Sequence, residues 1–173
     1  MARWRLWFLV LFLACCGMVG FAMYHQIYNW VMPCLMCIYQ RLAVIAFGLL
    51  SLLAVFWKPA SRRGVIILGS LLGLSALAGA ASAVWNLRLQ YGTPDPNLAC
   101  ASSLPFPIDL NDPGWPGWLV ALIRPVGSCT SVDFTLLGLS MPLLVLFTML
   151  VLLGLTFALS ARRWRELKRK FWV

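Results

Sequence analysis

Leu42-Ala-Val-Ile-Ala-Phe-Gly-Leu-Leu-Ser-Leu-Leu-Ala-Val55 carries no charge and a single hydroxyl over fourteen residues. A barrel strand alternates its lipid and lumen faces, and this unbroken run does not. Extended to about Ile38 at one end and Trp57 at the other, it reaches the ~20 helical residues that cross ~30 Å of hydrocarbon. In lipid the backbone must satisfy itself, so a continuous apolar run of this length reads as a helix. Three more stretches qualify: about Trp4–Tyr24, Val65–Gln90 and Leu136–Ala161. The expected fold is an all-α membrane protein, a four-transmembrane-helix bundle forming a single domain over residues 1–173.

Composition agrees. Of 173 residues, 62% are hydrophobic and 11% charged, against roughly 45–50% and 25% in soluble proteins. With a mean hydropathy of +0.86, a soluble globule would have more apolar side chain than interior, and disordered chains lack these residues. The net charge of +9 invites a nucleic-acid reading, but its placement argues against one. The basic residues flank apolar spans instead of forming a folded face.

That placement sets the orientation. Arg3 and Arg5, then Lys58, Arg62 and Arg63, then Arg162, Arg163, Arg165, Lys168, Arg169 and Lys170 make eleven of the 14 Lys and Arg residues. With four spans these three groups share one side, which the positive-inside bias makes the cytoplasm. Both termini are therefore expected in the cytoplasm, with a loop at about 58–64 and a tail at 162–173. The outward loops fall at about 25–37 and 91–135. Arg3 and Arg5 ahead of an apolar core also resemble a signal peptide, but no small-x-small site leads into a polar domain, so the first span is read as a helix.

The long outward loop holds seven of the ten prolines and four of the five acidic residues, so it reads as largely irregular. Within it, Trp118-Leu-Val-Ala-Leu-Ile123 is apolar but too short to span. It suits a short interfacial helix with Trp115 and Trp118 at headgroup depth; a turn packed on the bundle is the competing reading.

Six cysteines divide by depth. Cys15 and Cys16 lie ten residues past Arg5, ~15 Å into the bilayer at ~1.5 Å per residue, where a thiol acts as a small hydrophobe. Cys34, Cys37, Cys100 and Cys129 all face outward, where an oxidising compartment favours disulfides. A four-cysteine zinc site is the competing use. It is disfavoured because 28 residues separate Cys100 from Cys129 and the long loop contains no histidine. Two separate disulfides, Cys34–Cys37 and Cys100–Cys129, are expected, and no metal.

The chemistry concentrates in Met32-Pro-Cys-Leu-Met-Cys-Ile-Tyr-Gln-Arg41. Pro33 suits the first turn of a helix, which places Cys34 and Cys37 at an N-terminus whose partial positive charge favours thiolate. Arg41 lies one turn beyond Cys37 on the same face, at the outer edge of a span and against the positive-inside bias. Its guanidinium is positioned to stabilise a thiolate or a developing oxyanion, and snorkelling to a headgroup is the alternative use. Electrons from a soluble dithiol would then pass to the loop pair, to the helix-end pair, and on to a lipid-soluble acceptor.

These residues resemble the disulfide bond formation protein B (DsbB) family of bacterial inner membranes. The resemblance covers four spans, Pro33-Cys34-Leu-Met-Cys37-Ile-Tyr-Gln-Arg41 after the first, Cys100 and Cys129 in the second outer loop, and Asp133-Phe-Thr-Leu-Leu-Gly-Leu-Ser-Met-Pro142 entering the last helix. It implies that the active cysteines face the periplasm and reoxidise a thioredoxin-fold oxidase, DsbA, passing electrons to ubiquinone or menaquinone and so supporting disulfide formation in periplasmic proteins. By that likeness Cys100 forms the mixed disulfide, Cys129 is its loop partner, Cys34 exchanges with the loop pair, Cys37 engages quinone, and Arg41 is a quinone-site residue.

One departure stands out. Some members carry a histidine near the outer end of the third helix, where this chain reads Trp85-Asn-Leu-Arg-Leu-Gln90. Asn86, Arg88 and Gln90 are the polar side chains available there, and none is included among the site residues. The only histidine, His25, reads as an interfacial residue. Two alternatives remain in view: a vitamin K epoxide reductase-like enzyme, whose active pair lies late in the chain instead of after the first span, and a membrane scaffold with structural disulfides.

Overall fold

A computed structural model of the chain describes residues 2–92, 114–129, 135–136 and 138–170. Among the described residues five helices form: α1 (Ala2–Tyr28), α2 (Leu35–Phe56), α3 (Arg62–Tyr91), the short α4 (Gly117–Ile123) and α5 (Met141–Lys170). The four long ones are long and apolar enough to cross a membrane. A minimal antiparallel hairpin, β1 (Thr135–Leu136) and β2 (Leu139–Ser140), precedes α5.

Among the described residues α1 packs on α2, α2 on α3, and α3 on α5. The core runs along these three seams, through Phe8, Phe47, Leu72 and Met149. At the α1–α2 seam, a Cβ on Gly48 would stand 3.1 Å from that of Cys15. Cys15 is buried there, so it packs as a small apolar group. Outward faces are also apolar, with Phe56 and Phe157 each 76% exposed. A soluble protein hides such side chains, whereas a lipid-facing helix displays them. The chain is a multi-pass membrane protein.

Helix ends differ from the sequence reading where local capping intervenes. α1 continues past Tyr24 to Tyr28, and the His25 carbonyl accepts the Asn29 and Val31 N–H groups. Trp30 then turns the chain at φ 54, a left-handed backbone costing roughly 1–2 kcal/mol in a side-chain-bearing residue. α2 begins at Leu35 and α3 at Arg62, each about three residues early, because Cys34 and Ser61 cap them through side chains. α5 starts five residues late, since Thr135–Leu136 pairs with Leu139–Ser140 ahead of it and Gly138 stands at φ +79. It then runs to Lys170, so the expected tail is helical to that point. Its far end is stapled: Arg163 donates through Nε and Nη2 to the Pro59 carbonyl at 3.1 and 2.9 Å, and pairs with Glu166 at 2.7 Å.

Candidate active site

The site is assembled where α2 begins. Pro33 has no N–H to lose, and Cys34 takes an extended backbone (φ −79, ψ 168) as the N-cap of α2. A cap normally offers a hydroxyl or carboxylate oxygen. Here the Cys34 sulfur fills that place, accepting the Cys37 N–H at 3.3 Å. As the N-cap, Cys34 meets one of the helix's orphan N–H donors directly with its sulfur. One turn on, the Cys37 sulfur lies 2.7 Å from that of Cys34. Both are free cysteines whose sulfurs stand in direct contact. The hydrogen bond from the Cys37 thiol, reinforced by the Cys37 N–H and by Asn86, outweighs burial and lowers the Cys34 thiol below the ordinary thiol range.

Asn86 comes from α3 and is fully buried. Its Nδ2 donates to Cys34 Sγ at 3.6 Å and to Cys37 Sγ at 3.5 Å. Two signals in the sequence point to it: an amide inside a membrane-length apolar helix, where polar groups are costly, and a place in the stretch where some family members carry a histidine.

Arg41 is buried as well, 8% exposed. Its Nη1 donates to the carbonyls of Leu122 at 3.1 Å and Ala121 at 3.5 Å, at the C-terminus of α4. Gln26 of α1 donates to the same Ala121 carbonyl at 2.7 Å. A short helix leaves its last carbonyls unpaired and partly negative, and a guanidinium answers both needs. Arg41, read from the sequence as a partner for a thiolate or a developing oxyanion, thereby ties α4 to the bundle. The apolar 118–123 segment is helical, with Trp118 68% exposed.

Beyond α4 the chain returns to the redox pair. Val126 and Gly127 both donate to the Pro33 carbonyl, at 2.9 and 3.0 Å. Cys129, two residues further, is buried and disulfide-bonded. Cys100, its expected partner, lies outside the described residues. A cavity of about 490 Å³ opens beside the pair, walled by α1 and α5 and lined by Cys34, Cys37, Arg41, Gln40, Gln90 and Ser128 among others. His25, read from sequence as merely interfacial, also lines it, and its Nδ1 accepts from Asn29 Nδ2 at 2.7 Å.

The model of the family "Disulfide bond formation protein DsbB" matches residues 4–159. The chain belongs to this family. Among its relatives, a disulfide bond formation protein B of Methylococcus capsulatus is 34% identical over 95% of this chain and 96% of its own. One of Xanthomonas euvesicatoria is 32% identical over 93% and 95%, and one of Chromobacterium violaceum 34% identical over 78% and 80%. Membership of the DsbB family, with four membrane-length helices, makes the chain a membrane protein of disulfide bond formation and a disulfide-forming oxidoreductase.

Proposed function

We propose that the chain is an inner-membrane thiol:quinone oxidoreductase that reoxidises a DsbA-like, thioredoxin-fold dithiol protein of the periplasm. The carrying observation is a pair of sulfurs 2.7 Å apart at a helix N-terminus, opening into an apolar cavity. The segment bearing disulfide-bonded Cys129 is pinned against that same helix entry. The grouping of eleven of 14 basic residues supports cytoplasmic termini, with the pair and α4 on the periplasmic face and α4 at headgroup depth.

In this reading the incoming dithiol attacks a Cys100–Cys129 disulfide at Cys100, and the partner leaves oxidised through a mixed disulfide. The loop dithiol then reduces a Cys34–Cys37 disulfide. Each exchange moves two electrons and leaves two thiols where a disulfide was. The Cys34 sulfur, whose ionised form is favoured by its hydrogen-bond donors, exchanges with the loop pair, and Cys37, nearer Arg41 along α2, serves the cavity.

The cavity fits the acceptor implied by the family. Its volume lies within the roughly 300–1,000 Å³ of small-molecule sites. Apolar walls from α1 and α5 suit an isoprenoid chain, and the Arg41 guanidinium and the Gln40 amide among the lining side chains carry N–H groups suited to ring oxygens. Bound ubiquinone or menaquinone would supply a sink for two electrons and two protons, leaving as quinol. Arg41 would stabilise negative charge on a ring oxygen, and the α4 tether would exclude water from that end.

Mixing the purified protein with a reduced DsbA-like protein and a short-chain quinone tests the proposal. One quinol should form per substrate disulfide, and the Cys34→Ser and Cys100→Ser variants should form none. Undiminished quinol formation by either variant would overturn the relay. Reporter fusions test the orientation: those after Lys58 and at the C-terminus should read cytoplasmic, and one near Thr93 periplasmic.

A further inference from the structure

We infer that Asn86 is a positioning residue that sets the redox potential of the Cys34/Cys37 pair, by donating its amide N–H groups to both sulfurs in their reduced form. The inference rests on reading Cys34 and Cys37 as a redox pair, but requires neither the quinone nor the partner protein.

Asn86 is fully buried in a helix whose other buried positions nearby are Ala80 and Ala83. An amide in such surroundings costs stability unless its groups are bonded. Its Nδ2 reaches both sulfurs, at 3.6 and 3.5 Å, while its Oδ1 is buried with no partner among the described residues. The side chain thus leaves an acceptor unsatisfied while serving two sulfurs from a second helix. That arrangement follows if the donors, not the packing, are what the position supplies.

The consequence follows from the balance of the half-reaction. A Cys34–Cys37 disulfide takes up two electrons and two protons from a dithiol, which leaves as a disulfide, and becomes two thiols; with one sulfur ionised, one proton is released again. N–H donors bind a thiolate through charge-assisted hydrogen bonds and a disulfide sulfur only weakly. Asn86 therefore stabilises the reduced product over the oxidised reactant and makes the pair a stronger oxidant. The lowering of Cys34 agrees, since Asn86 is among its causes. The amide does not ionise at ordinary pH, so it acts without adding a titration of its own.

The test is a redox titration of the full-length protein in detergent. Wild type, Asn86→Leu and Asn86→Ala are equilibrated in glutathione buffers of graded ratio, quenched with a maleimide, and the Cys34/Cys37 peptide is counted by mass. Leu matches the volume without the donors; Ala covers the case in which Leu does not fold. The equilibrium constant for reduction should fall about tenfold in each, equivalent to ~30 mV for two electrons. The pH midpoint for Cys34 alkylation should rise with it. A side chain that only packs would change thermal stability and leave the constant alone. Folded variants with the wild-type constant would overturn the role of Asn86. A wild-type pair that stays as two thiols in every buffer would overturn the redox-pair reading, and the inference with it.

Discussion

Gly127 lies against the Met32 carbonyl so closely that no Cβ fits, and its N–H donates to the Pro33 carbonyl at 3.0 Å. This contact joins two parts of the chain more than ninety residues apart, and it does so one residue before Cys34. Gly127→Val would push the Cys129 segment away from the helix entry. Overpacking of this kind costs roughly 1–3 kcal/mol. In the proposed relay, exchange between the loop pair and Cys34 should slow while quinol formation from chemically reduced Cys34 and Cys37 stays normal. Single-turnover kinetics separate the two steps, and equal slowing of both would remove Gly127 from a role in the exchange.

Arg41→Ala removes a buried guanidinium from the last carbonyls of α4. Hydrogen bonds from charged groups are worth about 1.5–3 kcal/mol, so a ~10- to 150-fold loss in quinone kcat/KM is expected. Proteolysis near Arg124 should accelerate as α4 loosens. Arg41→Lys should recover only part of both effects, because a point-charge ammonium lacks the planar fork. Altered proteolysis with unchanged quinone kinetics would confine Arg41 to tethering.

The Cys34 thiol, lowered by the Cys37 thiol and the donors around it, should ionise below an ordinary thiol. Its alkylation should therefore be slow in acid and rise with pH through a midpoint below that of an ordinary thiol. The largest cause is the Cys37 thiol, so Cys37→Ala should move that midpoint upward and slow alkylation at neutral pH. Iodoacetamide labelling followed by mass spectrometry reads both profiles. Coincident midpoints would mean that the helix end, and not Cys37, sets the shift.

Cys15 meets Gly48 across the α1–α2 seam and has no part in the proposed chemistry. Cys15→Ala should lower stability by about 1 kcal/mol or less, as deletion of one small group does, and leave turnover intact. Gly48→Leu should cost more, since the 3.1 Å approach leaves no room. Thermal unfolding in detergent gives the order. Loss of turnover in a folded Cys15→Ala variant would bring the membrane-buried cysteine into the site.

Four membrane-length helices, the helix entry at Pro33–Cys37 and a short helix near Trp118 were legible in the sequence, because each depends on neighbours within a few residues. Apolar length selects a spanning helix, and proline followed by cysteine shapes an N-terminus whatever packs against it. Helix ends were less legible: the Cys34 and Ser61 caps lengthened two helices, and the turn at Gly138 shortened another. The partners of the site residues were not legible at all. Asn86 lies 52 residues from Cys34, and Arg41 81 from Leu122. Such contacts depend on which faces of α1, α2, α3 and α5 meet. In an apolar bundle every face of a helix is hydrophobic enough to be outside or inside, so periodicity cannot choose between them; close approach of side chains in the folded bundle does.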